Sequence, residues 1–427
     1  MDEFRNSIFD ASNNSATSNP KGVLIVNTIA GHGGAARAAY DMLCVGMRRL
    51  GFLTYMICAE SKVLDDAKVA VLRKNHSWWQ VVRKNYYRWF GLLDLHHDSD
   101  NLLAHDFFQE ADVLHLHNLH GDYINPKVLP LLTSRKPTIW TLHDEQSFTG
   151  HCAYSFSCER WHSGCGSCPA LSYYPSLRRD STGYLWRLKK TIYDESDFTV
   201  VVPSQWLKER VSRSMLGAKD IRLIYNGIDE EVWRPIDKRA ARKRLGLPLD
   251  KKILLFLADG SVHNPQKGGG YVLRAIEKMT CLEDVLFLVV GHDGELDYPN
   301  VMTRGYVYDK ARLVEYYSAA DLFIFPTMAD NLPFVVLEAM ACALPVVSFH
   351  VGGVPEEIDH MNSGYLAKYL DFDDFMRGIN LFLADEALRR RASIAARDRF
   401  LEKFTQKKCL EKYADLYREV YAKRQAH

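Results

Sequence analysis

The sequence predicts an α/β protein made of two doubly wound parallel-sheet domains that face each other across a cleft. Short β-branched runs alternate with amphipathic helical stretches, and this alternation occurs in two successive series. Residues able to do chemistry cluster just after those runs, where open parallel sheets bind their ligands. A chain of 427 residues also exceeds what one compact core serves, which fits two domains.

The first series comprises "GVLIVNTI" (22–29), "FLTYMIC" (52–58), "DVLHLHNL" (112–119), "PTIWTLHD" (137–144) and "FTVVVPS" (198–204), all expected as buried strands. Between the first two lies the helical pattern "AARAAYDMLCVGMRRL" (35–50). The second series is "IRLIYNGID" (221–229), "KILLFLA" (252–258), "VLFLVVG" (285–291), "VMTRGYV" (301–307), "DLFIFPT" (321–327) and "PVVSF" (345–349), with helices at 310–319 and 332–343. This places a first domain at 21–218, carrying a Cys-rich insert at 145–175, and a second at 219–400 with a joint near 205–230. Helical sequence follows from Asp371, and 401–427 stands as a final helix.

Hydrophobic residues at 47% and charged residues at 25% are those of a soluble folded protein, and no apolar run is long enough to span a bilayer. A net charge of +1 and the absence of a recognisable binding module exclude nucleic acid as a partner. Residues 1–20 begin acidic and become Ser/Asn-rich, lacking the basic start and apolar centre of a secretory signal. They are expected to be a disordered tail and the protein cytoplasmic. Nine cysteines then suggest reduced thiols or metal rather than a disulfide framework.

After the first strand, Gly31, Gly33 and Ala36 fit the spacing G-x-G-x-x-A, with Glu60 as a ribose acid after the next strand. That supports a nicotinamide-dependent oxidoreductase as one reading, and a plain tight turn fits equally well. His115 and His117 share one face of their strand, Asn118 follows it, and His143 ends the next strand beside Asp144. Each histidine is read either as a cleft residue or as a satisfied core residue. In the second domain Lys267 adjoins three glycines before a helix, an arrangement of cation and backbone N–H groups suited to a diphosphate. Asp330 follows a strand, and Glu338 lies on an otherwise apolar helix, where a carboxylate needs a partner: sugar hydroxyls, or a structural salt bridge.

Cys152, Cys158, Cys165 and Cys168 have the spacing C-x5-C-x6-C-x2-C. Two readings stay open, a structural zinc held by four thiolates or reduced thiols. The stretch "RKNHSWWQVVRKNYYRWF" (73–90) interleaves cations with aromatics. As a helix it suits an anionic membrane surface; the alternative is that its aromatics pack on the first domain.

Taken in order, "QKGG", "VPSQWL" (202–207), "IYNGID" (224–229), "GYV" (305–307), "EYYSAADLFIFPT" (315–327), "GGVPEEI" (352–358) and the Asp330/Glu338 pair resemble retaining glycosyltransferases of family 4, which have the GT-B fold. "TLHDEQSFTGHCAYSFSCERWHSGCGSCP" is similar to a subgroup that builds exopolysaccharides of the colanic-acid type. The resemblance implies transfer of a hexose, with glucose preferred, from a nucleotide-diphosphate donor, with UDP preferred, to a saccharide or lipid-linked saccharide. It implies that Lys267 contacts the diphosphate, Glu338 the ribose, and Asp330 the transferred sugar with Asn331 and Leu332 nearby. His143 would lie against that sugar, Gly33 and Gly34 would approach the phosphates or acceptor, and Tyr306 the base. His117, Asn118 and Asp144 are assigned to the acceptor side. The last helix is expected to cross back to the first domain, and the chemistry to need no metal. Two positions depart from the pattern: the first acid is Asp330 rather than glutamate, and "ADGSVHNPQ" (258–266) lacks the arginine that usually precedes the lysine. A non-catalytic sugar-nucleotide-binding protein is therefore the further alternative.

Overall fold

The computed structural model describes residues 19–31, 33–63, 66–72, 78–97, 99–258 and 260–426, with Asp100 described by its backbone alone. The 1–20 tail expectation therefore falls outside the described residues for all but its last two positions.

The first sheet has seven strands in the order β3-β2-β1-β4-β5-β6-β7. They are β1 (Gly22–Ala30), β2 (Leu53–Ser61), β3 (Val69–Val71), β4 (Val113–Leu116), β5 (Thr138–Thr141), β6 (Thr199–Val202) and β7 (Ile221–Leu223). The second has six, β10-β9-β8-β11-β12-β13, formed by β8 (Lys252–Leu257), β9 (Val285–Val290), β10 (Val301–Arg304), β11 (Leu322–Phe325), β12 (Val346–Phe349) and β13 (Gly364–Ala367). Every pairing is parallel. Both orders reverse direction next to their first strand, between β1 and β4 and between β8 and β11. Such switch points open a crevice at the strands' carboxyl ends, because the flanking connections leave to opposite faces.

One boundary differs from the sequence expectation. The strand expected to open the second domain, at 221–229, instead closes the first sheet: β7 pairs with β6 through Val200–Ile221, Val201–Arg222 and Val202–Leu223. The helix Gln205–Ser212 supplies the crossover that returns the chain to the same sheet. The first domain thus extends past residue 218.

Alternation along β1 explains the layering. Val23 and Ile25 belong to one core, which continues into the second domain, while Leu24 and Val26 belong to the core on the other face. After β1 the chain winds through Gly34–Arg37, a π-helical stretch Ala38–Val45 and Gly46–Arg49. At the far end the helix Glu386–Lys403 stops at Phe404, Thr405 caps the next, and Gln406–Gln425 crosses to the first domain. There Tyr417 Oη lies 2.7 Å from His115 Nδ1, and Tyr413 Oη 3.0 Å from Thr141 Oγ1. Among the described residues no helix is long and apolar enough to cross a membrane.

Candidate active site

Between the two sheets lies a cleft of about 500 Å³, reached by both switch points. It is lined from the first domain by Gly33, Gly34, Arg37, Asn118, His143 and Asp144, and from the second by Lys267, Tyr306, Asp330, Asn331, Leu332 and Glu338. The residues that the resemblance assigns to donor and acceptor thus meet in one place, except His117, which is buried behind the wall; His115, Gly31, Glu60 and the insert's four cysteines do not line it.

The loop after β11 builds the second-domain wall. Lys267 Nζ lies 2.7 and 2.9 Å from the two oxygens of Asp330, and Thr327 Oγ1 donates to Asp330 Oδ2 at 2.6 Å. Lys267 reaches this position because Gly268 turns the chain at φ +76° into the helix Gly269–Lys278. A Cβ at Gly268 would sit 1.8 Å from the Pro326 carbonyl oxygen, so glycine alone permits the approach. Gly352 (φ +58°) presses against Asp330 in the same way, where a Cβ would lie 1.8 Å from its carbonyl oxygen. Asn331 spans the cleft: its Nδ2 donates to the His143 carbonyl at 3.1 Å, and its Oδ1 meets Ser204 Oγ.

Glu338 is 1% exposed, on the helix Phe334–Ala341, and both its oxygens are engaged. Tyr317 Oη donates to Oε2 at 2.8 Å, while Arg37, from the first domain, forms an ion pair with Oε1. The Arg37 guanidinium is sandwiched by rings, 5.6 Å from the Trp233 centroid and 5.3 Å from that of Phe334. Of the two partners the sequence left open for Glu338, the structure contains the salt bridge, and it crosses between domains. Arg37 also brings an arginine to the cleft, although 258–266 supplies none.

The first-domain wall is a set of histidines. His115 is a satisfied core residue, bonded to Tyr417 and, at 2.7 Å, to Thr141 Oγ1. His117 Nδ1 lies 2.8 Å from His143 Nε2, with the rings stacked 5.1 Å apart. Burial pushes His143 down to about 4, so its imidazole is neutral and its Nδ1 remains as a neutral hydrogen-bonding atom. His120 behaves oppositely. Burial works against its charge, but the Asp144 carboxylate, 3.1 Å from Nε2, outweighs this and raises it above the usual histidine range. Asp144 is correspondingly lowered: burial opposes ionisation and the His120 imidazolium overcomes that.

The Cys-rich insert contributes Tyr154 and Tyr174 to the cleft. Aromatic and ionic packing holds it. Trp161 is 1% exposed and donates from Nε1 to the Cys158 carbonyl at 3.0 Å. The Arg210 guanidinium lies 4.7 Å from the Trp161 ring and pairs with Glu145. All four insert cysteines are free and partly buried. Cys165 Sγ accepts from Gly150 N at 3.2 Å, and Cys168 Sγ lies 3.5 Å from His151 Nε2. No three of the insert's thiols lie within 4.8 Å of one another.

Sequence reasoning missed Arg37, His120, Tyr154 and Tyr174. His120 was legible, two residues before Asp122 in the same "HLHNLHGD" run and opposite the flagged Asp144. Arg37 carried no signal, because its partner is in the other domain. The oxidoreductase reading loses its ribose acid, since Glu60 is not among the residues lining the cleft.

Comparison with known proteins agrees with this architecture. Residues 32–232 match the family model described as Glycosyltransferase Family 4, and 251–385 that of Glycosyl transferases group 1. A protein of Escherichia coli named as a colanic acid biosynthesis glycosyl transferase, WcaC, is 30% identical over 56% of this chain and 60% of its own length. An N-acetyl-alpha-D-glucosaminyl L-malate synthase of Bacillus anthracis is 29% identical over 47% of the chain and 54% of its own. The chain thus spans little more than half the length of these curated relatives. Among solved structures, sucrose-phosphate synthase of Thermosynechococcus elongatus shares the fold at TM-score 0.69 and 17% identity, over 94% of this chain and 99% of its own. Anabaena HepE, solved with UDP-glucose, does so at 0.62 and 16%, over 92% and 99%. With its two halves matched in tandem and its two sheets arranged as GT-B, the chain belongs to the group 1, family 4 glycosyltransferases.

Proposed function

We propose that the protein is a retaining hexosyltransferase that uses a nucleotide-diphosphate sugar, with UDP-glucose the preferred donor, and extends a saccharide or lipid-linked saccharide of an exopolysaccharide. The observation that carries this reading is the pairing of Lys267, Asp330 and Glu338 at one switch point with Gly33, Gly34 and Arg37 facing them from the other. The nucleotide preference draws on HepE, whose structure holds UDP-glucose, and the polysaccharide on the name of the Escherichia coli relative.

In this reading the ribose hydroxyls take the Glu338 carboxylate and displace Arg37. The freed guanidinium turns to the diphosphate and acts as the arginine that 258–266 lacks. Lys267 exchanges Asp330 for a phosphate oxygen, which releases Asp330 to accept from hexose hydroxyls. As the bond from the sugar's anomeric carbon to the diphosphate breaks, negative charge grows on the leaving oxygen, where Lys267 and Arg37 stabilise it. The acceptor oxygen bonds to the same face of that carbon, and its proton passes to the leaving phosphate oxygen. Neutral His143 supports the sugar by hydrogen bonding rather than by charge.

The helix Trp78–Trp89 has no buried residue, and Trp78, Trp79, Tyr86 and Trp89 are at least half exposed. That favours peripheral membrane contact over packing on the first domain; residues 73–77 of the stretch lie outside the described residues. Such contact would hold the enzyme near a lipid-linked acceptor on the cytoplasmic face.

The test is an NMR screen of the purified protein against UDP-glucose, UDP-galactose, GDP-mannose, GDP-fucose and NAD. Binding of one sugar nucleotide, with slow release of its sugar as the α-anomer, is expected. Binding of NAD alone would overturn the reading.

A further inference from the structure

Outside the cleft, at the foot of the exposed aromatic helix, three metal-binding side chains converge. His96 and His97 lie in the turn after the aromatic helix, ahead of the short helices Asp100–Leu103 and Asp106–Glu110 that precede β4, and Asp122 lies after β4. Their ligand atoms all fall within 4.8 Å of one another, the one such group among the described residues. Asp122 Oδ1 lies 3.2 Å from His96 Nε2 and 3.4 Å from His97 Nε2. Tetrahedral zinc with bonds of about 2.0–2.1 Å has ligand–ligand edges of about 3.3–3.4 Å. The two distances match such edges, and the second is also a hydrogen bond between His97 and Asp122.

The second observation is His96 itself. It is 6% exposed, yet neither ring nitrogen has a hydrogen-bond partner, since Nε2 approaches Asp122 off the line a hydrogen bond needs. A buried imidazole left this way forfeits its hydration with no return unless something else binds it.

The surrounding backbone is clamped. Asn125 Nδ2 donates to the Leu95 and His97 carbonyls at 3.0 and 3.2 Å, which fixes the two-histidine segment. The Asp122 backbone N–H donates to Asp94 Oδ1 at 2.7 Å and holds Asp122 at φ +68°. Lys84, from the aromatic helix, pairs with Asp122 Oδ2 and leaves Oδ1 to the histidines. An outer-shell partner on the second carboxylate oxygen orients a monodentate ligand in this way.

We propose that His96 Nε2, His97 Nε2 and Asp122 Oδ1 bind a divalent cation of the zinc class, with water as the fourth ligand. The site ties the β4 loop to the base of the aromatic helix, away from the insert's cysteines.

The test uses tag-free full-length protein titrated with Co²⁺ as the spectroscopic probe and with Zn²⁺ by competition against a chromophoric chelator. One equivalent is expected, with visible d–d bands of tetrahedral intensity and no thiolate-to-cobalt charge-transfer band in the near ultraviolet. His97→Ala and His96→Gln should each weaken zinc at least tenfold while melting like the parent in chelator. Binding unchanged in both variants would overturn the proposal. So would a thiolate band abolished by Cys165→Ser, or no tetrahedral spectrum at all.

Discussion

Replacing Arg37 by alanine strands the Glu338 carboxylate inside the protein with one neutral donor, Tyr317. Removing one partner of a fully buried ion pair costs about 3–5 kcal/mol. Glu338 is 1% exposed but the Arg37 side chain is 23% exposed, so water partly fills the vacated space and about 2–3 kcal/mol is the expected loss. For domains of this size that lowers Tm by about 4–12 °C. Glu338→Gln should cost less, because the uncharged amide no longer needs a cation and Arg37 can hydrate. The assay is a melting cycle over the parent, both single variants and the double variant. Arg37→Ala should cost markedly less in the Glu338→Gln background. Equal Tm losses in the two backgrounds would refute the reasoning, since the guanidinium would then contribute only its packing on Trp233 and Phe334.

Lys267→Ala should lower kcat/KM by about 10²–10³-fold, the usual effect of losing one electrostatic contact to a developing charge, in a donor-hydrolysis or transfer assay. His143 is depressed to about 4 when folded against about 6.5 unfolded, so the unfolded chain binds the extra proton between these values. Its contribution to stability is complete above pH ~6.5 and is lost as pH falls toward 4; His143→Gln should flatten that acid limb in Tm measured against pH. His120 is raised, so its share is complete below its unfolded value and lost as pH rises through the folded one. His120→Gln should remove the alkaline decline. Trp78→Ser with Trp79→Ser should abolish co-sedimentation with anionic vesicles while the cleft binds donor unchanged; retained sedimentation would refute the membrane role of the helix.

Much of the architecture and the cleft was legible because local signals report it directly. Runs such as "VLFLVV" are buried on both faces, and Gly268, Gly269, Gly352 and Gly353 record close backbone approaches that only glycine permits. Lys267, Asp330 and Glu338 stood out as polar residues against apolar surroundings. The membership of β7 was not legible, because a three-residue strand carries no mark of which sheet edge will pair with it. Nor was the role of the insert's cysteines, since spacing along the chain leaves the distances between thiols free.

The sequence alone determined the doubly wound class, the two series of strands and the chemistry gathered at their ends, because periodicity and residue type act over a few neighbours. Tertiary structure alone decided who partners whom. Arg37 answers Glu338, His117 backs His143, His120 charges against Asp144, and His96 meets Asp122. Each of these pairs joins segments separated by at least one strand, and the energy of a buried charge or imidazole depends on what surrounds it in space rather than along the chain.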